Sequence, residues 1–418
     1  MLVHFLQQQS ATRFLIAFSG GLDSHVLLHL GAMLRATYPQ WHFRAIHIDH
    51  GLQPASAAWA AHCRAVCEVL AMPVVNVALH LQIPSGASLE AEARQARYAA
   101  FAQHLQPGEM LLTAHHQDDQ AETLLLHLLR GSGVDGLAAM PAVRAFAQGW
   151  LGRPLLTCSR ADLAAYAHQH GLNYLQDPSN ADTRFDRNFL RHQVMPLLQQ
   201  RWPAVTATFA RATRLQGESR QLLHESLQEK LPHYQGSRSG TLAISQLGTA
   251  SLALQAALLR VWLVNAGFQL PPAKKLDSVL HDVLLATADA MPCVHWAGCE
   301  IRRYRDDLYA LPPLVAHDST QIYGWDTQQP LVLPTVGVTL VPEMLGAWLP
   351  IVRDSGSAVT VRFRQGGEIM QLPYRGGSHS LKHLLQEAGI PPWQRERLPL
   401  IYVGERLVNI VGVLQVNP

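Results

Sequence analysis

Short apolar runs alternate with helix-length amphipathic stretches through the first half of the chain. Runs at 14–18, 43–48, 74–79 and 110–113 read as buried strands, and the stretches 24–34, 56–71, 88–104 and 118–130 read as helices. Continuous apolar strands separated by helices predict an α/β domain: a mostly parallel sheet with helices on both faces. Ligands of such sheets bind beyond the carboxyl ends of the strands. Three polar clusters fall there: Ser19-Gly20-Gly21-Leu22-Asp23-Ser24, Asp49-His50-Gly51-Leu52 and His115-His116-Gln117-Asp118-Asp119. One crevice built from three distant segments is expected.

Further along, 159–170 reads as a Ser-capped helix ended by Gly171, followed by the loop Gln176-Asp177-Pro178-Ser179-Asn180. Residues 205–231 suit a linker helix, and 233–240 is the clearest boundary by turn composition. Helical patterns at 252–264 and 275–286 precede short strands at 292–296 and 300–304. The polar, Pro-punctuated stretch 316–335 reads as a second linker. A strand at 359–363, a helix at 380–388 and paired strands at 400–403 and 407–411 complete a small α+β domain. The expected domains are 1–215 with a linker helix to about 235, a mainly helical middle domain at 240–315, and a C-terminal domain at 345–418.

Composition narrows this little. A chain of 418 residues, 48% hydrophobic and 15% charged, folds into two or three domains without long disordered tails. A net charge of +2 neither demands nor excludes a nucleic-acid partner, so a local basic patch must carry that argument. The five cysteines, Cys63, Cys67, Cys158, Cys293 and Cys299, have neither zinc nor CxxC spacing, which points to a reducing compartment. Cys63 and Cys67 are expected on one apolar helix face. With no basic leader and no apolar run of membrane-spanning length, a cytoplasmic location and no membrane partner are expected.

The stretch 19–24 follows a strand and opens a helix. Its glycines let the backbone approach a phosphate, and the helix adds its positive N-terminal end. Ser19 and Ser24 can donate hydroxyl hydrogen bonds to phosphate oxygens, and Asp23 can hold magnesium. An ordinary capped Gly-Gly turn would explain two or three of these six positions, not all. The stretch lacks the Lys-Ser/Thr ending of the common NTPase loop. It resembles the SGGxDS pyrophosphate (PP) loop of the ATP pyrophosphatases, which cut ATP between its α and β phosphates.

Asp118, Asp119 and Glu122 fall within one helical turn, with Asp119 and Glu122 sharing a face. Dipole compensation and capping account for one or two acidic residues in a first turn. Three carboxylates beside His115 and His116 suit a cationic substrate or magnesium. A His-Asp phosphohydrolase metal site competes, but its further ligands are not placed.

Taken with Arg94-Gln95-Ala96-Arg97-Tyr98, Arg130-Gly131-Ser132-Gly133-Val134-Asp135-Gly136-Leu137, Arg153-Pro154-Leu155-Leu156, and Asp177-Pro178-Ser179-Asn180 through Arg187-Asn188-Phe189-Leu190-Arg191, these motifs resemble the tRNA(Ile)-lysidine synthetase family. Val361-Arg362-Phe363-Arg364-Gln365-Gly366-Gly367-Glu368 and Pro391-Pro392-Trp393 with Arg395, Arg397 and Pro399 extend the likeness to the C-terminus. The resemblance is weakest over 205–345. It implies adenylation of the wobble cytidine of a CAU-anticodon isoleucine tRNA at its C2 oxygen, then attack by the ε-amine of free L-lysine. ATP and magnesium would be required. Ser19, Gly20, Gly21, Leu22, Asp23 and Ser24 would bind ATP, with adenine and ribose near 17–18 and 48–50. Asp119 and Glu122 would take the lysine ammonium, and Asp23, His115, Asp119 and Glu122 would be catalytic. Arg94, Arg97, Arg187 and Arg191 would contact phosphate or tRNA backbone. Arg362, Arg364, Arg375, Lys382, Arg395 and Arg397 would grip the tRNA body, with Trp393 packed in the small core. A monomer or homodimer is compatible with all of this. A thiolating PP-loop enzyme lacks its paired cysteines here. A glutamine-fed amide former lacks its cysteine glutaminase. A non-catalytic RNA-binding module would have no use for an acidic cluster that repels RNA.

Overall fold

The computed structural model describes residues 1–49, 51, 56–79, 89–287, 290–372 and 377–418, without the side chains of 89–91 and 179. His50, Leu52, Ser88, Arg375 and the Ser179 side chain therefore lie outside the described residues. The chain divides into two compact units, Met1–Ser226 and Leu227–Pro418.

In the first unit the elements run α1 (Leu2–Gln7), β1 (Arg13–Ala17), α2 (Leu22–Thr37), β2 (His42–Asp49), α3 (Ser56–Val69) and β3 (Val74–Ala78). They continue with α4 (Leu89–His104), β4 (Met110–Leu112), α5 (Gln117–Leu129), α6 (Val134–Leu137), β5 (Val143–Phe146), β6 (Gly149–Gly152) and α7 (Arg160–Gln169). The helices α8 (Asp186–Phe189), α9 (Met195–Arg201) and α10 (Val205–Lys230) follow. The sheet order is β3-β2-β1-β4-β6-β5, parallel throughout except for the β5–β6 pair.

Alternate residues of the central strands feed two cores, as two covered faces require. Phe14 and Ile16 pack with Val26, Leu27, Cys63, Cys67 and Leu163 of α2, α3 and α7. Leu15, Ile46, Leu111 and Leu151 face Ala100 and Phe101 of α4. The expected strands and helices agree with these elements to within three residues at each end. The β5–β6 hairpin was not foreseen: its four-residue strands are too short to show a period.

Among the described residues the second unit holds two larger antiparallel sheets and two two-stranded ones. In the first, β7 (Leu242–Ala243), β8 (Cys293–Trp296), β9 (Cys299–Tyr304) and β10 (Asp307–Leu311) are ordered β7-β10-β9-β8. They share a core with α11 (Ile244–Leu247), α12 (Leu252–Asn265) and α13 (Ala273–Ser278). The second sheet carries β11 (Tyr323–Trp325), which pairs with the strand Val359–Arg362. The stretch 316–335 is thus more than a linker: Trp325 and Leu333 are buried in the core under that sheet. Three-residue strands gave the sequence no periodicity to betray them.

Candidate active site

The turn between β1 and α2 is built around Gly20, whose φ of +84° favours glycine. A Cβ there would sit 2.9 Å from Cys63 Sγ and 3.1 Å from Leu175 Cδ1. The loop is braced from within. Ser24 Oγ accepts from the Ser19 N–H at 3.2 Å, donates to the Gly21 carbonyl at 3.0 Å, and lies 3.0 Å from Ser19 Oγ. Gly21 caps α2, and the N–H groups of the first turn have no acceptor within the helix. Loop and helix start make a cradle for an anion.

Helix α5 begins opposite this cradle, at the carboxyl end of β4. Its N-cap is His116, and the Asp119 carboxylate accepts the His116 backbone N–H at 3.0 Å. The buried His116 ring lies among three carboxylates. Nε2 is 3.7 Å from Asp23 Oδ2 and 3.5 Å from Asp119 Oδ2, and Nδ1 is 3.6 Å from Asp118 Oδ2. Burial works against a charged ring, but Asp118, Asp23 and Asp119 outweigh it and push the pKa up to about 10. His116 is an imidazolium that ties the phosphate loop to the acidic helix. Asp118, whose Oδ2 also accepts from the Arg160 N–H at 2.9 Å, is held below the usual carboxylate range. Burial alone would have raised it.

Glu122 is 1% exposed, and both its oxygens are taken. Arg191 donates through Nε to Oε1 at 2.6 Å and through Nη2 to Oε2 at 2.9 Å. The same Nη2 reaches Asp119 Oδ1 at 3.0 Å. Arg187 stands 3.8 Å from Glu122 Oε2 and donates to Thr123 Oγ1 at 3.0 Å. A π-helical turn, Leu190–Val194, contains Arg191 just after α8. Such turns shift the register of a helix and recur at functional sites. Burial raises the Glu122 pKa and Arg191 opposes the rise. Burial also works to raise Asp119, but the neighbouring charged His116 and Arg191 hold it below the ordinary value.

His115 is neutral. Burial pushes its pKa down to about 4; Asp119 opposes this, while Arg153, Arg187 and Arg94 add to it. Its Nδ1 lies 2.9 Å from Thr113 Oγ1.

The structure therefore brings Ser19, Gly20, Gly21, Leu22, Asp23 and Ser24 together with Asp119, Glu122, Arg187 and Arg191. Arg94 and Arg97 lie one turn apart on α4, and Arg94 is within electrostatic reach of His115. The pivotal position of His116 was not foreseen. Its signal was its place as the last residue before the acidic turn.

In the second unit Arg362 makes a paired contact to Glu405 at 3.1 Å and 3.1 Å and lies 4.6 Å from the Tyr402 ring centroid. Arg395 donates to Tyr304 Oη at 3.0 Å and to the Ile390 carbonyl at 2.8 Å, and Arg397 to the Val315 carbonyl. Trp393 packs edge-on against Tyr309 and Tyr304, with ring centroids 5.4 and 6.3 Å away. Arg364 has a buried Nε without a hydrogen-bond partner among the described residues, and Lys382 is exposed.

A six-stranded, mainly parallel sheet with a glycine phosphate cradle after β1 defines a PP-loop nucleotide-binding domain. A PP-loop domain model matches residues 1–198, a TilS substrate binding domain model 242–309, and a TilS substrate C-terminal domain model 359–417. The tRNA(Ile)-lysidine synthase of Coxiella burnetii is 44% identical over 404 residues, covering 96% of this chain and 89% of its own. That of Xanthomonas axonopodis pv. citri is 46% identical over 394 residues, covering 94% and 88%. That of Escherichia coli O157:H7 is 44% identical over 407 residues, covering 97% and 93%. The chain belongs to the tRNA(Ile)-lysidine synthase family.

Proposed function

We propose that the chain ligates free L-lysine to C2 of the wobble cytidine in a CAU-anticodon isoleucine tRNA. In the first step the cytidine C2 oxygen attacks the α-phosphorus of ATP, and the bond to pyrophosphate breaks. In the second the lysine ε-amine attacks C2, the C2–O bond breaks, AMP leaves, and the amine gives up a proton. The observation that carries this reading is the meeting of loop and acidic helix through His116. Phosphate chemistry and a cation-binding surface are thereby joined at one sheet edge.

Ser19, Gly20, Gly21, Leu22 and Ser24 cradle the β and γ phosphates through backbone N–H and hydroxyl donors. Asp23 suits magnesium, because its buried Oδ1 has no hydrogen-bond partner among the described residues. Bound there, the ion would neutralise charge on the departing pyrophosphate. Among the described residues no three His, Cys, Asp or Glu side chains are placed to hold a metal, so its other ligands would come from phosphate and water.

The lysine amine, with a free pKa of about 10.4, arrives as an ammonium. Asp119 receives it, since each carboxylate oxygen can accept more than one hydrogen bond. Glu122 contacts it only if Arg191 moves aside, and otherwise acts by fixing Arg191. Neutral His115 offers a hydrogen bond to substrate, and with its lowered pKa it is a weak base for the ammonium proton. Arg187 and Arg191 would steady the α-phosphate. In the second unit, Arg364 and Lys382 are the phosphate contacts, and Arg362, Arg395 and Arg397 shape the surface that holds the tRNA.

No helix among the described residues is long and apolar enough to cross a membrane. A cytoplasmic enzyme, monomeric or homodimeric, fits the reaction. ATP–pyrophosphate exchange with CAU-anticodon tRNA, with and without lysine, tests the proposal. Exchange that needs the tRNA, and AMP release that needs lysine, are expected. Exchange indifferent to the tRNA would refute it.

A further inference from the structure

Beyond β4, on the side away from the glycine loop, the sheet edge turns from acidic to basic. Arg153 directly follows β6, its N–H donating to the Ala142 carbonyl at 2.8 Å. Arg153 is 5% exposed; its Nη1 donates to the Pro141 carbonyl at 2.6 Å, and its Nε has no hydrogen-bond partner among the described residues. Above it lies Tyr98, with the guanidiniums of Arg94 and Arg144 at 5.1 and 6.0 Å from its ring centroid. Burial lowers the Arg153 pKa, Tyr98 opposes this, and Arg144 and Arg94 add to it. Among the described residues no carboxylate is within ion-pair range of Arg144 or Arg153. A buried guanidinium without a counterion beside two like charges is costly unless an anion joins them.

An open cavity of about 340 Å³ lies here, lined by Arg94, Gln95, Tyr98 and Arg144. We propose that it seats a phosphodiester of the RNA next to the reacting nucleotide, contacted by Arg94 and Arg144, with buried Arg153 as the charge beneath. The proposal rests on the RNA-modifying reading above and adds where the strand is held.

Three considerations favour an RNA phosphate over the other anions of the reaction. β6 lies two strands from β1, roughly 10 Å at the usual spacing, so the seat is separate from the triphosphate cradle. Guanidiniums lying over an aromatic ring make flat cationic plates, on which an unpaired base can stack. The cavity is also open to solvent, as a polymer passing through requires. ATP and the α-carboxylate of lysine share the anionic chemistry and are separated by experiment.

The test is binding of CAU-anticodon tRNA by the full chain, without ATP or lysine, from about 50 to about 200 mM salt. Arg144→Gln, an exposed change on an edge strand, should weaken binding several-fold at low salt. It should flatten the plot of log affinity against log salt by about 0.7–0.9, the loss of one phosphate contact. Arg153→Gln should act in the same direction and Arg153→Lys should restore most of the slope. If Arg153→Gln fails to fold, Arg144→Gln decides alone. Arg13→Gln, at the opposite end of the sheet, should leave the slope unchanged. Calorimetry should give unchanged ATP and lysine affinities for Arg144→Gln. A wild-type slope for Arg144→Gln, or loss of ATP or lysine affinity in place of RNA affinity, overturns the seat alone. A wild-type chain without salt-dependent tRNA binding overturns the RNA reading, and the seat with it.

Discussion

Replacing Arg191 by Gln leaves Glu122 charged, 1% exposed and stripped of its two charge-assisted hydrogen bonds. Breaking a buried pair costs about 3–5 kcal/mol, and the lower end applies because Arg187 remains 3.8 Å away. Glu122 has an escape: it can fold protonated. From the ordinary value of 4.5, that costs about 1.4 kcal/mol per pH unit. At about pH 7.5 protonation would cost about 4 kcal/mol, more than the broken pair, so the loss is about 3 kcal/mol. At about pH 5.5 the proton costs only about 1.4 kcal/mol, and the loss shrinks to that. The sign follows from linkage: a carboxyl with a raised folded pKa binds more protons in the native state, so stability rises as pH falls from the folded towards the unfolded pKa. The assay is urea unfolding followed by hydrogen exchange in peptides from α5, because the two units need not unfold together. Arg191→Gln with Glu122→Gln should regain more than half of the loss at pH 7.5. A single-variant loss under about 1 kcal/mol, or one of equal size at both pH values, would refute the reasoning.

Four further outcomes are expected. Asp119→Asn should spare tRNA-dependent pyrophosphate release and block lysine transfer; equal loss of both steps in rapid-quench assays removes Asp119 from the lysine role. Gly20→Ala should lose ATP binding by calorimetry, because left-handed backbone costs a non-glycine residue about 1–2 kcal/mol and the new Cβ meets Cys63 Sγ at 2.9 Å. Ring nitrogen NMR should find His115 neutral and His116 doubly protonated throughout pH 6 to 8, and a midpoint near the ordinary 6.5 for either contradicts the electrostatics described. Lys382→Glu should weaken tRNA binding about tenfold while ATP affinity holds; unchanged filter binding removes that residue from the tRNA surface.

The fold of the first unit was legible because parallel strands covered on both faces must be continuously apolar, as Phe14, Leu15 and Ile16 are. The glycine loop and the Asp118–Glu122 turn were legible because their chemistry is local. Partnership was not. Nothing near Arg191 in sequence shows that it spans Asp119 and Glu122, roughly 70 residues away. The π-helical turn that carries it has no sequence period. Arg153 reads as one arginine before a proline, and only the surrounding fold shows it buried without a counterion. The strands inside 316–335 were hidden for another reason: a polar stretch can still place single anchors such as Trp325 and Leu333 in a core.

The ion pairs of the acidic turn set what it can still bind. Asp23, Asp118, Asp119 and Glu122 meet the fixed cations His116, Arg187 and Arg191, leaving one negative charge uncompensated among groups within 4 Å of one another. That excess suits the lysine ammonium, while the charge of a magnesium ion at Asp23 would be met by the phosphates of ATP. Across His115 the sign reverses, with Arg153 and Arg94 disfavouring its protonation. The carboxyl edge of the sheet thus carries a gradient: an ammonium is drawn towards β4 and α5, and a phosphate chain towards β6. Neutral His115 marks the crossover, where an amine and an activated base must meet if the reaction is a ligation. The same gradient works against a thiolating chemistry, whose anionic sulfur nucleophile would be repelled from the acidic turn that attracts an ammonium.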